Sequence, residues 1–162
     1  MSLRFEVGCD LEELREYWSR SGYDGNLDYL MNVVIKDSSQ LIVWKENDRI
    51  VGHSVWHGSN TEEHRKGDPR DKEDTEVLEK LFGGKKEFVE LHEIWLIKEY
   101  RGRGYGEMFH AFFKKFMKDK GYSDIVFYAH HPAAVAICRK HGYRDGGYLK
   151  GLNEYVFYLS LK

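Results

Sequence analysis

The run Arg101-Gly102-Arg103-Gly104-Tyr105-Gly106 combines two guanidinium groups with three glycines in six residues. It lies between a strand-like stretch, 88–97, and a helix-like stretch, 104–120. A glycine-rich turn that opens a helix presents backbone N–H groups and the positive end of the helix dipole. Glycines let that backbone approach an anion closely, and Arg101 and Arg103 add charge-assisted bonds. The chemistry implied is pyrophosphate binding; the bland alternative is a surface turn with two solvated arginines. A Walker A loop is excluded, because no Gly-x-x-x-x-Gly-Lys-Ser/Thr is present. The dinucleotide fingerprint fails at Glu107.

A second set of reactive types precedes the turn. Glu90, His92 and Glu93 stand on the strand-like stretch. Strand alternation puts Glu90, His92, Ile94 and Leu96 on one side and Glu93, Trp95 and Ile97 on the other. A bulge breaks such parity, so spacing alone does not choose between the two carboxylates. A carboxylate half-buried in a cleft is expected to have a raised pKa, which suits a general base. His92 also reads as a packed strand histidine.

Arg101, Gly104 and Gly106 fit Arg/Gln-x-x-Gly-x-Gly/Ala. That pattern, after Leu-His-Glu-Ile-Trp-Leu-Ile-Lys-Glu-Tyr and before an amphipathic helix, resembles the acetyl-CoA loop of the GNAT acyltransferase superfamily. A second motif of that family is similar to 131–143, where Ala134, Ile137, Gly142 and Tyr143 match. His131 stands where the family usually has Asn. Cys138 stands where it usually has the Tyr that protonates the departing thiolate. The resemblance implies a single GNAT-like α/β domain: a mixed, mostly antiparallel sheet with a splayed central parallel strand pair and helices on both faces. It implies acetyl-CoA as co-substrate, held by Leu96, Ile97, Arg101, Gly102, Arg103, Gly104, Tyr105, Gly106, His131, Ala134 and Cys138. By analogy the Leu96 N–H faces the thioester carbonyl, and Ile97 and its neighbours pair with the pantetheine arm. Glu93 is at a frequent acidic position of the family and Glu90 at one used by some histone-type members, so both are candidate bases. Cys138 is a candidate acid in place of the tyrosine, although a cysteine on a helix face is more often a small core hydrophobe. Tyr128 and Tyr143 are further candidates.

The elements that must hold these residues are legible in the pattern. Leu3–Val7 reads as a strand. A helix capped by Asp10, with Glu13 three residues on, ends near Gly22. A second helix covers 27–35. A hairpin pairs 41–45 with 49–57 across Glu46-Asn47-Asp48. The apolar stripe Met108, Phe109, Phe112, Phe113, Phe116 and Met117 faces a core, and Gly121 closes its helix. A strand at 124–129, a helix opened by Pro132, and strands at 143–148 and 153–161 complete a mixed α/β order. Residues 59–87 are expected to form a polar insertion at the fold's edge, carrying a short helix at 76–82 and shaping the acceptor side.

Composition narrows the function classes. The chain has 162 residues, 41% hydrophobic, with a formal net charge of −2. This suits one domain with a real core and gives no field that favours nucleic acid or an anionic membrane. Two distant cysteines form no disulfide framework, and the first residues have no apolar signal core, so a cytoplasmic protein is expected. His53 and His57 share a strand face but lie too far apart for one ion, and no cluster has zinc spacing, so no metal is expected. The leading expectation is an N-acetyltransferase acting on a small-molecule or peptide amine by direct attack in a ternary complex, with a homodimer open. The alternatives are a catalytically weak acyl-CoA-binding module and a nucleotide-binding α/β domain.

Overall fold

The first helix shows how locally determined this chain is. Asp10 sits in extended backbone, and its side chain accepts the Glu13 N–H at 2.7 Å, which satisfies a donor the helix cannot. Gly22, at φ 72°, ends the helix in the left-handed region that glycine tolerates best. The computed structural model describes residues 2–62, 71–83 and 87–162. Their elements, in order, are β1 (Leu3–Val7), α1 (Leu11–Ser21), α2 (Leu27–Asp37), β2 (Leu41–Glu46), β3 (Arg49–Asn60), α3 (Asp71–Phe82), β4 (Glu87–Leu96), α4 (Tyr105–Asp119), β5 (Asp124–Ala129), α5 (Pro132–Lys140), β6 (Arg144–Leu149) and β7 (Glu154–Ser160). The strands hydrogen-bond in the order β1-β2-β3-β4-β5-β7-β6, giving a mixed seven-stranded sheet. The residues divide into two compact units, Met1–Trp56 with His92–Phe112 and His57–Leu91 with Phe113–Lys162.

In the first unit β1, β2 and the start of β3 form an antiparallel ladder, from Leu3↔Glu46 to Val7↔Ile42 and from Leu41↔Val55 to Glu46↔Arg49. Period-2 alternation splits β2 cleanly. Leu41 and Val43 pack with Leu14 and Tyr17 of α1 and Leu30 of α2. Trp44 turns the other way, stacks on Phe109 of α4 at 4.8 Å and meets the edge of Phe5. Helices therefore cover both faces of this ladder. The α4 stripe is as expected apart from Met108, which is exposed; His110 is buried instead, one position off the apolar pattern.

In the second unit β4 runs parallel to β5, from Val89↔Ile125 to Leu91↔Phe127. The parallel register stops there, although β5 continues to Ala129. β5 and β7, and β7 and β6, are antiparallel. Part of the expected insertion lies outside the described residues. Within it, Ser59 and Asn60 belong to β3, and the helix starts at Asp71 rather than 76. The helix is also no edge decoration: Leu78 is fully buried with Phe88, Val126, Leu149 and Val156. Its charged first turn lacks apolar periodicity, which is why pattern alone starts it late.

β3 and β4 come unusually close at Gly52. A Cβ there would lie 2.6 Å from the Trp95 carbonyl oxygen and 3.1 Å from Leu96 Cδ1. Backbone on the far side does not rotate away as a side chain does. Gly52→Ala is therefore expected to destabilise the fold by about 1–3 kcal/mol, read as a lower urea midpoint.

Candidate active site

Glu93 lies on β4, three residues before Leu96, and is half-buried in the first unit. Tyr23, from the segment between α1 and α2, donates its hydroxyl to Glu93 Oε1. His53 of β3 brings Nε2 to 3.3 Å from Oε2. The other nitrogen, Nδ1, lies 2.7 Å from the Tyr17 hydroxyl of α1. A carboxylate only accepts, so Nε2 carries a hydrogen; Nδ1 accepts the Tyr17 O–H in a neutral ring and donates to the Tyr17 oxygen in a charged one. Tyr17 and His53 are wholly buried. Aromatic edges lock the group: Tyr23 meets His53 at 4.8 Å and Trp95 at 5.4 Å, and Tyr17 meets His53 at 5.5 Å.

Burial raises the Glu93 pKa, but the hydrogen bond and charge of His53, with the Tyr23 hydroxyl, outweigh it, and the net shift is downward. This corrects the expected raised value: donors aimed at the charged form stabilise it more than desolvation penalises it. The same burial, helped by the Glu93 charge, pushes the Tyr17 and Tyr23 phenols well up, so both hydroxyls keep their hydrogens. Glu90, the other candidate, belongs to the second unit and is buried, with Oε2 at 2.9 Å from His57 Nε2. Partners thus separate two carboxylates that spacing leaves equivalent. His92 is exposed, with Tyr29 at 6.3 Å between ring centres.

Beyond Glu93 the strand backbone has a defined polarity. The Ile97 N–H donates to the Val51 carbonyl at 2.9 Å, and the Ile97 carbonyl accepts from Tyr100 at 2.9 Å. Both Ile97 groups therefore have partners inside the fold, and the carbonyl keeps a second lone pair. Successive N–H groups of extended backbone point to opposite edges. The Leu96 N–H therefore points away from β3, and the Leu96 carbonyl accepts Arg101 Nε at 2.8 Å.

The glycine turn follows. Gly102 and Gly104 have φ 78° and 81°, and a Cβ on either would meet nothing within 4 Å. The side on which a Cβ would stand is therefore open at both. Met108 is the first N–H to bond back within α4, to the Gly104 carbonyl at 3.2 Å, so the N–H groups of Tyr105 and Gly106 precede the helical ladder. Arg101 lies over the Trp95 ring at 4.7 Å and Arg103 over Tyr100 at 5.1 Å. Both guanidinium groups are exposed but oriented. Tyr105 gives its hydroxyl to Glu46. The donor set of open glycines, helix-start N–H groups and two oriented arginines fits a pyrophosphate.

The remaining candidates lie in the second unit. His131 caps α5, its Nδ1 accepting the Ala133 N–H at 3.2 Å, which is a cap that an Asn side chain also makes. Ala134 is half-buried on the first turn of α5. Cys138 is fully buried, and its thiol is pushed up to about 12 by desolvation and the Asp145 charge. Such a thiol stays protonated and behaves as a core hydrophobe, which counts against the acid role considered for it. Tyr143 is buried and its phenol raised for the same reason, and Tyr128 gives its hydroxyl to Asp74 at 2.5 Å. Among the described residues no group of three or more His, Cys, Asp or Glu is placed to hold a metal, and no helix is long and apolar enough to cross a membrane.

The residues that sequence reasoning missed are Tyr17, Tyr23 and His53, the last considered only as half of a metal pair with His57. The available signal was two histidines four apart on β3 and two glutamates three apart on β4, each able to supply the other's partner.

Element order, strand order and the glycine turn define the α/β acetyltransferase class. The chain belongs to the acetyltransferase (GNAT) family, whose family model matches residues 9–143. Solved structures agree on the fold. A mosquito arylalkylamine N-acetyltransferase (like 5b) superposes with a TM-score of 0.71 at 14% identity, covering 98% of this chain and 100% of that one. A Drosophila melanogaster polyamine N-acetyltransferase, described as forming N-acetylagmatine, gives 0.67 at 14% identity, with 98% and 100% covered. A Thermoplasma acidophilum PaiA N-acetyltransferase in complex with coenzyme A gives 0.58 at 13% identity, with 99% of each chain covered. Comparison with curated proteins finds no match.

The buried thiol makes a direct prediction. Cys138 is expected to resist an aromatic disulfide reagent at pH 8 in the native protein and to react at the ordinary thiol rate once urea unfolds it. A Cys9→Ser background isolates the signal; rapid native labelling would contradict the burial.

Proposed function

We propose that this protein is an N-acetyltransferase that transfers the acetyl group of acetyl-CoA directly to a primary amine in a ternary complex, with Glu93 receiving the amine's proton. The observation that carries the reading is Glu93 itself: a half-buried carboxylate held ionised by Tyr23 and His53, on the strand that leads into an open glycine turn. Acetyl-CoA supplies the acyl group activated as a thioester. The glycine turn, Arg101 and Arg103 bind its pyrophosphate. The Leu96 N–H, directed away from β3, is the donor for the oxygen that gains charge as the amine adds.

An amine of the lysine type has a reference pKa near 10.4 and arrives as ammonium. Glu93 attracts and orients that cation. A carboxylate with a depressed pKa is a weak base toward a free ammonium. The ammonium has no lone pair, so it first gives one proton to water, and its neutral fraction adds to the acyl carbon; the nitrogen becomes far more acidic as that bond forms, and at that stage a positioned carboxylate suffices to take the second proton. The C–S bond then breaks. A thiol with a reference pKa near 8.5 departs as thiolate without a strong acid, so solvent can supply its proton. A cytoplasmic setting suits this chemistry. The amine-acetylating neighbours of the same fold support an amine acceptor as partner.

The buried Cys138 at the family's tyrosine position favours one second reading, an acyl-CoA-binding domain with little turnover. Calorimetric titration with acetyl-CoA, with ATP and NAD as controls, followed by thiol-release assays over a panel of monoamines, polyamines, amino acids and peptides, decides between them. Selective binding with turnover supports the enzyme, binding without turnover supports the binding domain, and preference for ATP or NAD overturns both. Glu93→Gln is expected to lower kcat/KM about 10²–10⁴-fold while acetyl-CoA affinity stays near that of the parent. Arg101→Glu is expected to weaken acetyl-CoA binding about tenfold or more by placing a like charge at the pyrophosphate; unchanged affinity would remove Arg101 from the site.

A further inference from the structure

His53 is wholly buried and 3.3 Å from Glu93, so it cannot touch an acceptor amine and acts only through that carboxylate. We propose that His53 is a positioning residue for amine acetylation, and that a relay from the Tyr17 hydroxyl through the His53 ring holds the Glu93 carboxylate aimed. The inference rests on the reading of Glu93 given above, but it concerns residues on α1 and β3 that the glycine turn does not involve.

Three features carry it. The relay is complete: Tyr17 serves Nδ1, Nε2 serves Oε2 and Tyr23 serves Oε1, so each His53 nitrogen and each Glu93 oxygen has a partner. The carboxylate end is fixed, because Glu93 only accepts and Nε2 must donate to it, while the Tyr17 hydroxyl can serve Nδ1 whether that nitrogen is bare or protonated. The ring is immobilised by Tyr17 and Tyr23 edges at 5.5 and 4.8 Å, which leaves little freedom to turn Nε2 away. Two donors already occupy Glu93, one per oxygen, so the proton taken from an amine goes to an outward lone pair. The donors also lower the affinity for that proton, which speeds its return to solvent and readies the carboxylate for the next amine.

Other charged and titratable groups surround the pair and bear on its titration. His92 neighbours Glu93 on β4 and favours its ionised form. Tyr29 of α2 lies against His92. Arg20 of α1 lies 5.9 Å from the centre of the Tyr17 ring. Arg101 covers Trp95, two residues along the strand. The side-chain hydrogen bonds that lower the Glu93 pKa come from His53 and Tyr23, so removing His53 takes away one of the two.

The test reads the carboxyl carbon of Glu93 by NMR in protein labelled with ¹³C-glutamate, assigned against Glu93→Gln, alongside the pH profile of kcat/KM. In His53→Leu the Glu93 titration midpoint is expected to rise by about one pH unit, and the acid limb of kcat/KM to rise with it. In His53→Gln, which keeps an N–H donor of similar reach but no charge, both are expected to rise clearly less than in the Leu variant. An unmoved midpoint in folded His53→Leu, or an equal rise in the Gln variant, overturns the proposal. If the Leu variant does not fold, the parent protein carries the test. A His53 ring N–H resonance shifted downfield at neutral pH, moving in step with the Glu93 titration and lost in Glu93→Gln, supports the relay; its absence overturns it. Failure of the enzymatic reading looks different, because no amine would then be acetylated while the Glu93 midpoint still responds to His53.

Discussion

A buried imidazole and a half-buried carboxylate must have their polar atoms satisfied, and that requirement governs the first unit of this protein. His53 has no exposure, and its two nitrogens face in different directions. One meets a hydroxyl from α1 and the other a carboxylate from β4. Glu93 in turn needs a second donor, which arrives from the segment after α1. The left-handed turn at Gly22, next to Tyr23, ends α1 and redirects the chain there. Leu14 and Tyr17 share an apolar face, so the packing that seats α1 on β2 and β3 also delivers the phenol. Core formation and assembly of the polar cluster are therefore one event. A core that packed without the cluster would leave buried polar atoms unpaired, at a cost of about 1–3 kcal/mol for each.

The glycine turn works by the opposite logic. Its backbone is left open, with two residues in the left-handed region and helix-start N–H groups ahead of the first helical bond. Order comes from the side chains, which stack on Trp95 and Tyr100 and tie Arg101 back to the strand. Aromatic rings thus hold two cations near an exposed backbone surface without neutralising them. Trp95 serves both regions, with Tyr23 against it on the Glu93 side and Arg101 over it on the other.

Features set by neighbours in sequence were the legible ones. The Asp10 cap, the Gly22 stop, most of the α4 stripe, Pro132 in the first turn of α5 and the glycine turn all follow from spacing and residue type. Features set by distant pairs were not. His53 meets Tyr17 across 36 positions and Glu93 across 40, and no periodicity encodes a hydrogen-bond partner. The direction of the Glu93 shift failed for the same reason: burial is readable from an apolar strand, whereas the donors that outweigh it are not. The early start of α3 failed because charged residues with good helix propensity carry no apolar rhythm. Cys138 was legible as to position on α5, but its surroundings, which decide between acid and hydrophobe, became visible only in three dimensions.

The narrow approach of β4 to Gly52 has a consequence for how such sequences diverge. Every other residue type carries a Cβ, and here that atom would strike a carbonyl of the neighbouring strand. The position is closed to drift so long as the strands keep this spacing. A relative with a larger residue aligned here must have moved the strand that bears the Glu93 equivalent, and with it the reach from imidazole to carboxylate. The identity of this one small residue therefore reports, in a sequence with no structure, whether that separation has been kept.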